Sequence, residues 1–286
     1  MFKVMTALIT PFQEDESIDF EALKKIVQKQ LQDGVDGFIV CGTTAEAPTL
    51  SEDEKFAILD FVIKQCNHQV PIWFGCGSNH TKETLRLCQK AQAYDIEGVL
   101  LVTPYYNKPS QEGLYEHYKT IASQIQTNIM LYDVPARTGV QLAWETIDRL
   151  LQTCPNITAL KHASHDLSNI YKLHEKYPDF CIYSGEDNYF MEGKEAGMCG
   201  IVSVMSHLHL KKMKECMEGN HELLEKLVHS AEYIFLGGSP VTLKYMLMKL
   251  EQCALSVRLP LVPLTKDLQL ILDKYMASTE FEDLLS

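Results

Sequence analysis

Lys161 closes the apolar run Ile157-Thr158-Ala159-Leu160. Burial disfavours a charged ammonium, and a neutral amine is the nucleophile that attacks a carbonyl. The other fate of a lysine at this place is to snorkel to solvent. Tyr132 ends the preceding apolar run. Its phenol either relays protons to and from a carbinolamine or sits as a core ring with its hydroxyl at the rim. Thr43 and Thr44 follow Gly42, where hydroxyls and backbone N–H groups can bind a carboxylate, although Gly-Thr-Thr also suits a plain loop. Arg137 offers a planar fork for a carboxylate, or a surface ion pair. His162, His165, His207 and His209 raise the question of a metal. No His-Glu-x-x-His and no Cys/His cluster accompanies them, so no metal site is expected. Neither a Gly-x-Gly-x-x-Gly string nor a Walker loop is present, and no cofactor is predicted.

These residues stand at the ends of short apolar runs. The runs are Val4–Ile9, Gly37–Val40, Val70–Phe74, Gly98–Val102, Asn128–Tyr132, Ile157–Leu160, Phe180–Tyr183 and Gly200–Val204. They are rich in Val, Ile and Leu with little polar alternation, as in strands covered on both faces. Helical stripes lie between them. Phe20, Leu23, Ile26, Val27 and Leu31 form one, stopped at Gly34. Ser51-Glu52-Asp53-Glu54 reads as a capping box, and Ser110 precedes Leu114, Tyr118 and Ile121. Eight strand–helix units predict an α/β fold, a (β/α)8 TIM barrel, with an open doubly wound sheet as the competing arrangement. Beyond about residue 206 only helical patterns remain, broken at Gly237-Gly238-Ser239-Pro240. The predicted organisation is a barrel over 1–225 and a C-terminal helical extension over 226–286.

The chain has 286 residues, 46% of them apolar, and a formal net charge of −12. That charge argues against a nucleic-acid binder, and a small anionic substrate would need local basic groups such as Lys161 and Arg137. No run approaches a membrane span and no secretory leader is expected. Nine cysteines without a C-x-x-C pair point to a reducing cytoplasm.

Taken together the strings resemble the dihydrodipicolinate synthase (4-hydroxy-tetrahydrodipicolinate synthase) family of pyruvate-dependent class I aldolases and lyases, over nearly the whole chain. The matching segments include Thr6–Phe12, Gly42-Thr43-Thr44-Ala45-Glu46, Val102–Gly113 with its Tyr105-Tyr106-Asn107-Lys108-Pro109, Tyr132–Gly139, Lys161, Gly200–Val204 and Arg258–Pro263. The resemblance implies Lys161 as the Schiff-base lysine, Tyr132 as proton donor and acceptor, and Thr43 as relay. It implies Tyr106 as a tyrosine reaching the site of an adjacent subunit, Thr44 and Val202 as pyruvate contacts, and Arg137 as the clamp on the second substrate. The implied substrates are pyruvate and aspartate semialdehyde, in lysine and diaminopimelate biosynthesis. The implied assembly is a homotetramer built from tight dimers. Asn79, Glu83 and Tyr105 match positions of a lysine effector site, with Glu52 and Lys55 where lysine-sensitive members often carry histidines.

The chain departs from the usual pattern at Ala45, Ala47, Asp133, His162-Ala163-Ser164-His165 and Gly238-Ser239-Pro240. Asp133 and His162 bear on the second substrate more than on the Schiff base. The rival readings are a sister lyase such as N-acetylneuraminate lyase with another aldehyde, and a catalytically retired regulatory paralogue.

Overall fold

A computed structural model describes residues 2–286. The apolar runs form eight strands: β1 (Lys3–Ala7), β2 (Phe38–Val40), β3 (Ile72–Gly75), β4 (Gly98–Val102), β5 (Asn128–Asp133), β6 (Ile157–His162), β7 (Cys181–Ser184) and β8 (Gly200–Ser203). They close in sequence order into a barrel, and the registers across β3 to β8 are parallel. The TIM barrel is therefore the observed fold. Strand bounds differ from the sequence expectation by at most two residues, and those of β4 coincide with it. The difference that matters is β6. It runs two residues past Leu160, because Lys161 and His162 stay in register with Tyr132 and Asp133 on one side and with Tyr183 and Ser184 on the other.

The helices are α1 (Phe20–Gln32), α2 (Glu52–Cys66), α3 (Thr81–Ala91), α4 (Gln111–Ala122), α5 (Pro135–Thr138), α6 (Trp144–Thr153), α7 (Ser168–Lys176) and α8 (Phe190–Glu195). After β8 come α9 (Ser206–Met217), α10 (Leu223–Phe235), α11 (Val241–Lys249), α12 (Lys266–Met276) and α13 (Thr279–Leu285), as the loss of strand signal beyond residue 206 predicts. The expected capping box is present: Ser51 Oγ accepts from Glu54 N while Glu54 reaches back to Ser51 N. Ser110 caps α4 by accepting from Gly113 N. Gly34, at φ 85, takes the left-handed turn after α1.

Two compact units make up the chain. One holds Pro71–Val202 with the residues up to Lys3, the other Val4–Val70 with Ser203–Ser286. In the first, Val99, Leu101, Ile129, Leu131, Leu160 and Ile182 of the strands are buried, as are Leu114, Tyr118, Ile147, Leu150 and Leu173 of the helices. In the second the core includes Phe12, Leu23, Val27, Phe38, Leu59, Leu243, Leu247, Leu272 and Phe281. Each such side chain contributes on the order of 1.5–3 kcal/mol through apolar burial. Both cores hold strand termini fixed, and the candidate residues stand on those termini or on the turns that follow them.

Candidate active site

Parallel pairing sets Tyr132 of β5 level with Lys161 of β6. Side chains of aligned residues project to the same face, and the next residues, Asp133 and His162, project to the other. Lys161 is 7% exposed, and its Nζ lies 4.4 Å from the centroid of the Tyr132 ring. An aromatic face attracts an ammonium weakly. Of the two fates open to this lysine, the buried one is observed. Space for it comes from Gly185, which follows β7 and donates from its N–H to the His162 carbonyl at 2.7 Å. A Cβ there would stand 2.9 Å from Lys161 Cε and 2.8 Å from Ala163 Cβ. Gly185 was missed as a site residue. Its signal was a glycine separated by Ser184 alone from the apolar run Phe180–Tyr183.

Behind this pair, Asp133 and His162 are 1% and 2% exposed. Asp133 Oδ1 accepts from Leu142 N at 3.0 Å, and Oδ2 lies 3.8 Å from His162 Nδ1. The other ring nitrogen, Nε2, is 2.9 Å from the Asp166 carbonyl. Burial pushes the Asp133 carboxyl up to about 7, against the pull of the Leu142 N–H. Burial also lowers the His162 ring from its usual value, with the Asp166 carbonyl opposing.

On the loops after β5, β6 and β7 stand Arg137, His165 and Glu186. Arg137 is exposed in α5, a turn begun by Pro135 and ended by Gly139 at φ 72. Glu186 is half-buried. Burial raises its carboxyl and Asp187 adds to that, while His165, Lys161 and Arg137 oppose it. The guanidinium and the lysine therefore lie within electrostatic reach of one carboxylate. His165 stacks flat on Tyr189, with centroids 4.5 Å apart. Val202 is buried in β8.

The Tyr105-Tyr106 loop follows β4. Tyr106 is 90% exposed with φ 71, and Tyr105 is 39% exposed. Asn79 Nδ2 donates to the Tyr105 carbonyl at 3.2 Å, and Asn107 Nδ2 donates to the Asn79 carbonyl at 3.0 Å. Asn79 and Tyr105 are thus neighbours. Glu83, in the first turn of α3, pairs with Arg86 at 2.7 Å.

In the other unit, Thr43 is exposed and Thr44 is 5% exposed in the first of two 3-10 turns after β2. The turn ends on Glu46, a non-glycine at φ 56 whose side chain is fully buried. Its Oε1 lies 2.5 Å from Lys244 Nζ, and its Oε2 accepts from Arg258 N at 2.9 Å. Lys244 also donates to the Ser256 carbonyl at 2.9 Å and sits 4.2 Å from the Phe12 ring centroid. This closed ion pair fixes the turn that carries the two threonines. The pair is not among the features expected from the sequence. Its signal was Lys244 interrupting the apolar stretch Val241–Leu247.

His207 and His209 have protein partners. His207 Nε2 accepts from Ile9 N and Nδ1 faces the Val204 carbonyl. His209 bridges the Leu284 carbonyl and Ser230 Oγ. Burial lowers both rings to about 4. Among the described residues no group of three or more His, Cys, Asp or Glu is disposed to hold a metal ion.

The sequence pattern of the dihydrodipicolinate synthetase family matches residues 1–278. The chain belongs to this family. A 4-hydroxy-tetrahydrodipicolinate synthase from Bacillus subtilis is 42% identical over 278 residues, spanning 94% of this chain and 96% of that one. A crystal structure of a dihydrodipicolinate synthase from Bacillus anthracis superposes with a TM-score of 0.93 at 37% identity, covering 97% of this chain and 99% of that one. A structure described as the first monomeric dihydrodipicolinate synthase variant gives 0.93 at 34% identity, covering 99% and 97%. No helix among the described residues is long and apolar enough to cross a membrane.

Proposed function

We propose that the chain is a Schiff-base-forming lyase of the 4-hydroxy-tetrahydrodipicolinate synthase type. It condenses pyruvate with aspartate 4-semialdehyde in lysine and diaminopimelate biosynthesis. The observation that carries this reading is Lys161, buried against Tyr132 in space left by Gly185. The neutral Lys161 amine adds to the keto carbon of pyruvate, and water leaves as the iminium forms. The iminium accepts the electron pair of a methyl C–H bond as its proton departs, giving an enamine. The enamine carbon attacks the aldehyde, and the product's own amine then displaces Lys161 on cyclisation.

Tyr132 is the proton carrier in this reading, relayed by Thr43 and by Tyr106 of a second subunit. Thr44 and Val202 contact pyruvate, and Arg137 clamps the carboxylate of the aldehyde substrate. The exposed, left-handed Tyr106 supports a role outside its own chain. So does the description of one relative as the first monomeric variant. The proposed assembly is a tetramer of tight dimers, in the cytoplasm. A lysine effector would use Asn79, Glu83 and Tyr105, supported by the Asn79–Tyr105 contact.

The test is a coupled assay with pyruvate and aspartate semialdehyde, run beside a panel of other aldehydes that includes N-acetylmannosamine. Preference for aspartate semialdehyde is expected. Turnover only with another aldehyde would reassign the chain to a sister lyase, and no turnover with any would favour a retired paralogue.

A further inference from the structure

Asp133 and His162 stand one residue beyond Tyr132 and Lys161 on the same paired strands, and the Schiff-base step uses neither. Their separate hydrogen-bond partners constrain which protons they carry. The Asp166 carbonyl can only accept, so its 2.9 Å contact assigns a hydrogen to His162 Nε2. A neutral ring then has a bare Nδ1, which faces Asp133 Oδ2 at 3.8 Å. The other carboxylate oxygen is already engaged by Leu142 N. An ionised Asp133 would therefore set two acceptors against each other in a nearly dry space, which is costly. The 3.8 Å separation is longer than a hydrogen bond, so a single proton carried on one of the two atoms, Oδ2 or Nδ1, is what removes the repulsion. Burial, which raises the acid and lowers the ring, favours keeping that proton on Asp133.

Each partner also ties down a loop. The Asp133–Leu142 bond closes the segment 134–142, which carries Arg137, and Asn169 of α7 holds the Leu142 carbonyl at 3.3 Å. The His162–Asp166 contact closes the segment 163–166, which carries His165. We propose that Asp133 and His162 are a one-proton pair that positions these two loops, so that use of the acceptor aldehyde depends on the pair while formation of the pyruvate iminium does not. This inference rests on the proposed Schiff-base reaction.

The titratable groups facing the pair are Tyr118 of α4, which senses the Asp133 charge, and Asp166 on the loop after β6. Lys161 and Tyr132 adjoin it along the strands. Tyr118 is buried with its phenol held far up, and Asp166 is held below the usual carboxylate range by Ser168, so both keep one charge state around neutrality. As pH rises past neutrality the pair's proton leaves, a bare carboxylate faces a bare nitrogen, and the loops loosen.

The experiment compares Asp133→Asn and Asp133→Ala with the wild type. Asparagine keeps an acceptor for Leu142 N and turns an N–H₂ donor to Nδ1, so it mimics the protonated acid. Its KM for the aldehyde is expected to stay within about threefold of wild type at neutral pH and to lose the alkaline rise of the wild type. Alanine should raise that KM about tenfold or more while leaving borohydride trapping of pyruvate intact, since a misplaced clamp impairs orientation. Amide hydrogen exchange at Leu142 and across 163–166 should quicken in Asp133→Ala and not in Asp133→Asn. The proposal is overturned if asparagine damages aldehyde use as much as alanine, if the alkaline rise persists in Asp133→Asn, or if alanine lowers trapping as much as turnover. Should the alanine variant fail to fold, the asparagine pH profile and exchange decide. A wild type that traps pyruvate but ignores aspartate semialdehyde defeats the acceptor assignment, and the exchange comparison still tests the pair.

Discussion

Gly185→Ala places a methyl group where Lys161 runs. The added Cβ would meet Lys161 Cε at 2.9 Å, roughly 0.5 Å inside the 3.4 Å at which ordinary contact begins. It would also meet Ala163 Cβ at 2.8 Å and Ala163 Cα at 3.3 Å, so relief by backbone movement is limited on that side. Overpacking of this kind costs about 1–3 kcal/mol, which lowers Tm by a few degrees and leaves the chain folded. The lysine tip yields more readily than two packed strands. A displacement near 1 Å costs about 10²-fold in rate, so half of that predicts a loss of roughly tenfold. The assay is the pyruvate-dependent rate of inactivation by borohydride, with circular dichroism as the fold control. Adding Ala163→Gly removes the Ala163 Cβ contact but not the Lys161 contact. Trapping should stay slow in that double variant. Trapping within twofold of wild type in Gly185→Ala, or full recovery in the double variant, would refute the reasoning.

Lys244→Met should destabilise the chain by about 3–5 kcal/mol in urea unfolding, because it leaves the Glu46 carboxylate buried without its cation. Adding Glu46→Gln should recover most of that loss, and no recovery would mean that shape rather than charge matters there. Arg258 holds the Glu54 carboxyl down to about 2 from 4.5. This contribution is complete above pH 4.5 and disappears as pH falls towards 2. Arg258→Ala should therefore flatten the acid limb of stability between those values, and an unchanged limb would place the acid sensitivity elsewhere. Arg137→Ala should raise KM for the aldehyde at least tenfold with pyruvate trapping intact. Equal loss of both would reassign Arg137 to pyruvate binding or to structure.

The fold was legible because parallel strands covered on both faces read as plain apolar runs, and each of the eight runs became a strand. The strand ends were less legible, for a reason visible at β6. Lys161 and His162 look like loop residues by polarity, yet ladder pairing and partners on both sides keep them in the strand. That Lys161 and Tyr132 stand side by side at the ends of neighbouring strands was readable from the apolar runs they close. Gly185 was not, because a glycine past an apolar run does not say which side chain needs the space it leaves. The Glu46–Lys244 pair spans 198 residues of sequence, and no local period reports such a contact. Asp133 and His162 stood out singly as departures from a pattern. Only strand register showed that they face each other.

The most direct measurement is peptide mass analysis after incubation with pyruvate and borohydride. Loss of activity is expected together with one reduced pyruvyl group on the peptide containing Lys161, and no adduct in Lys161→Ala. A stable adduct on another lysine, or an enzyme that turns over pyruvate and cannot be trapped, would contradict a Schiff base at Lys161.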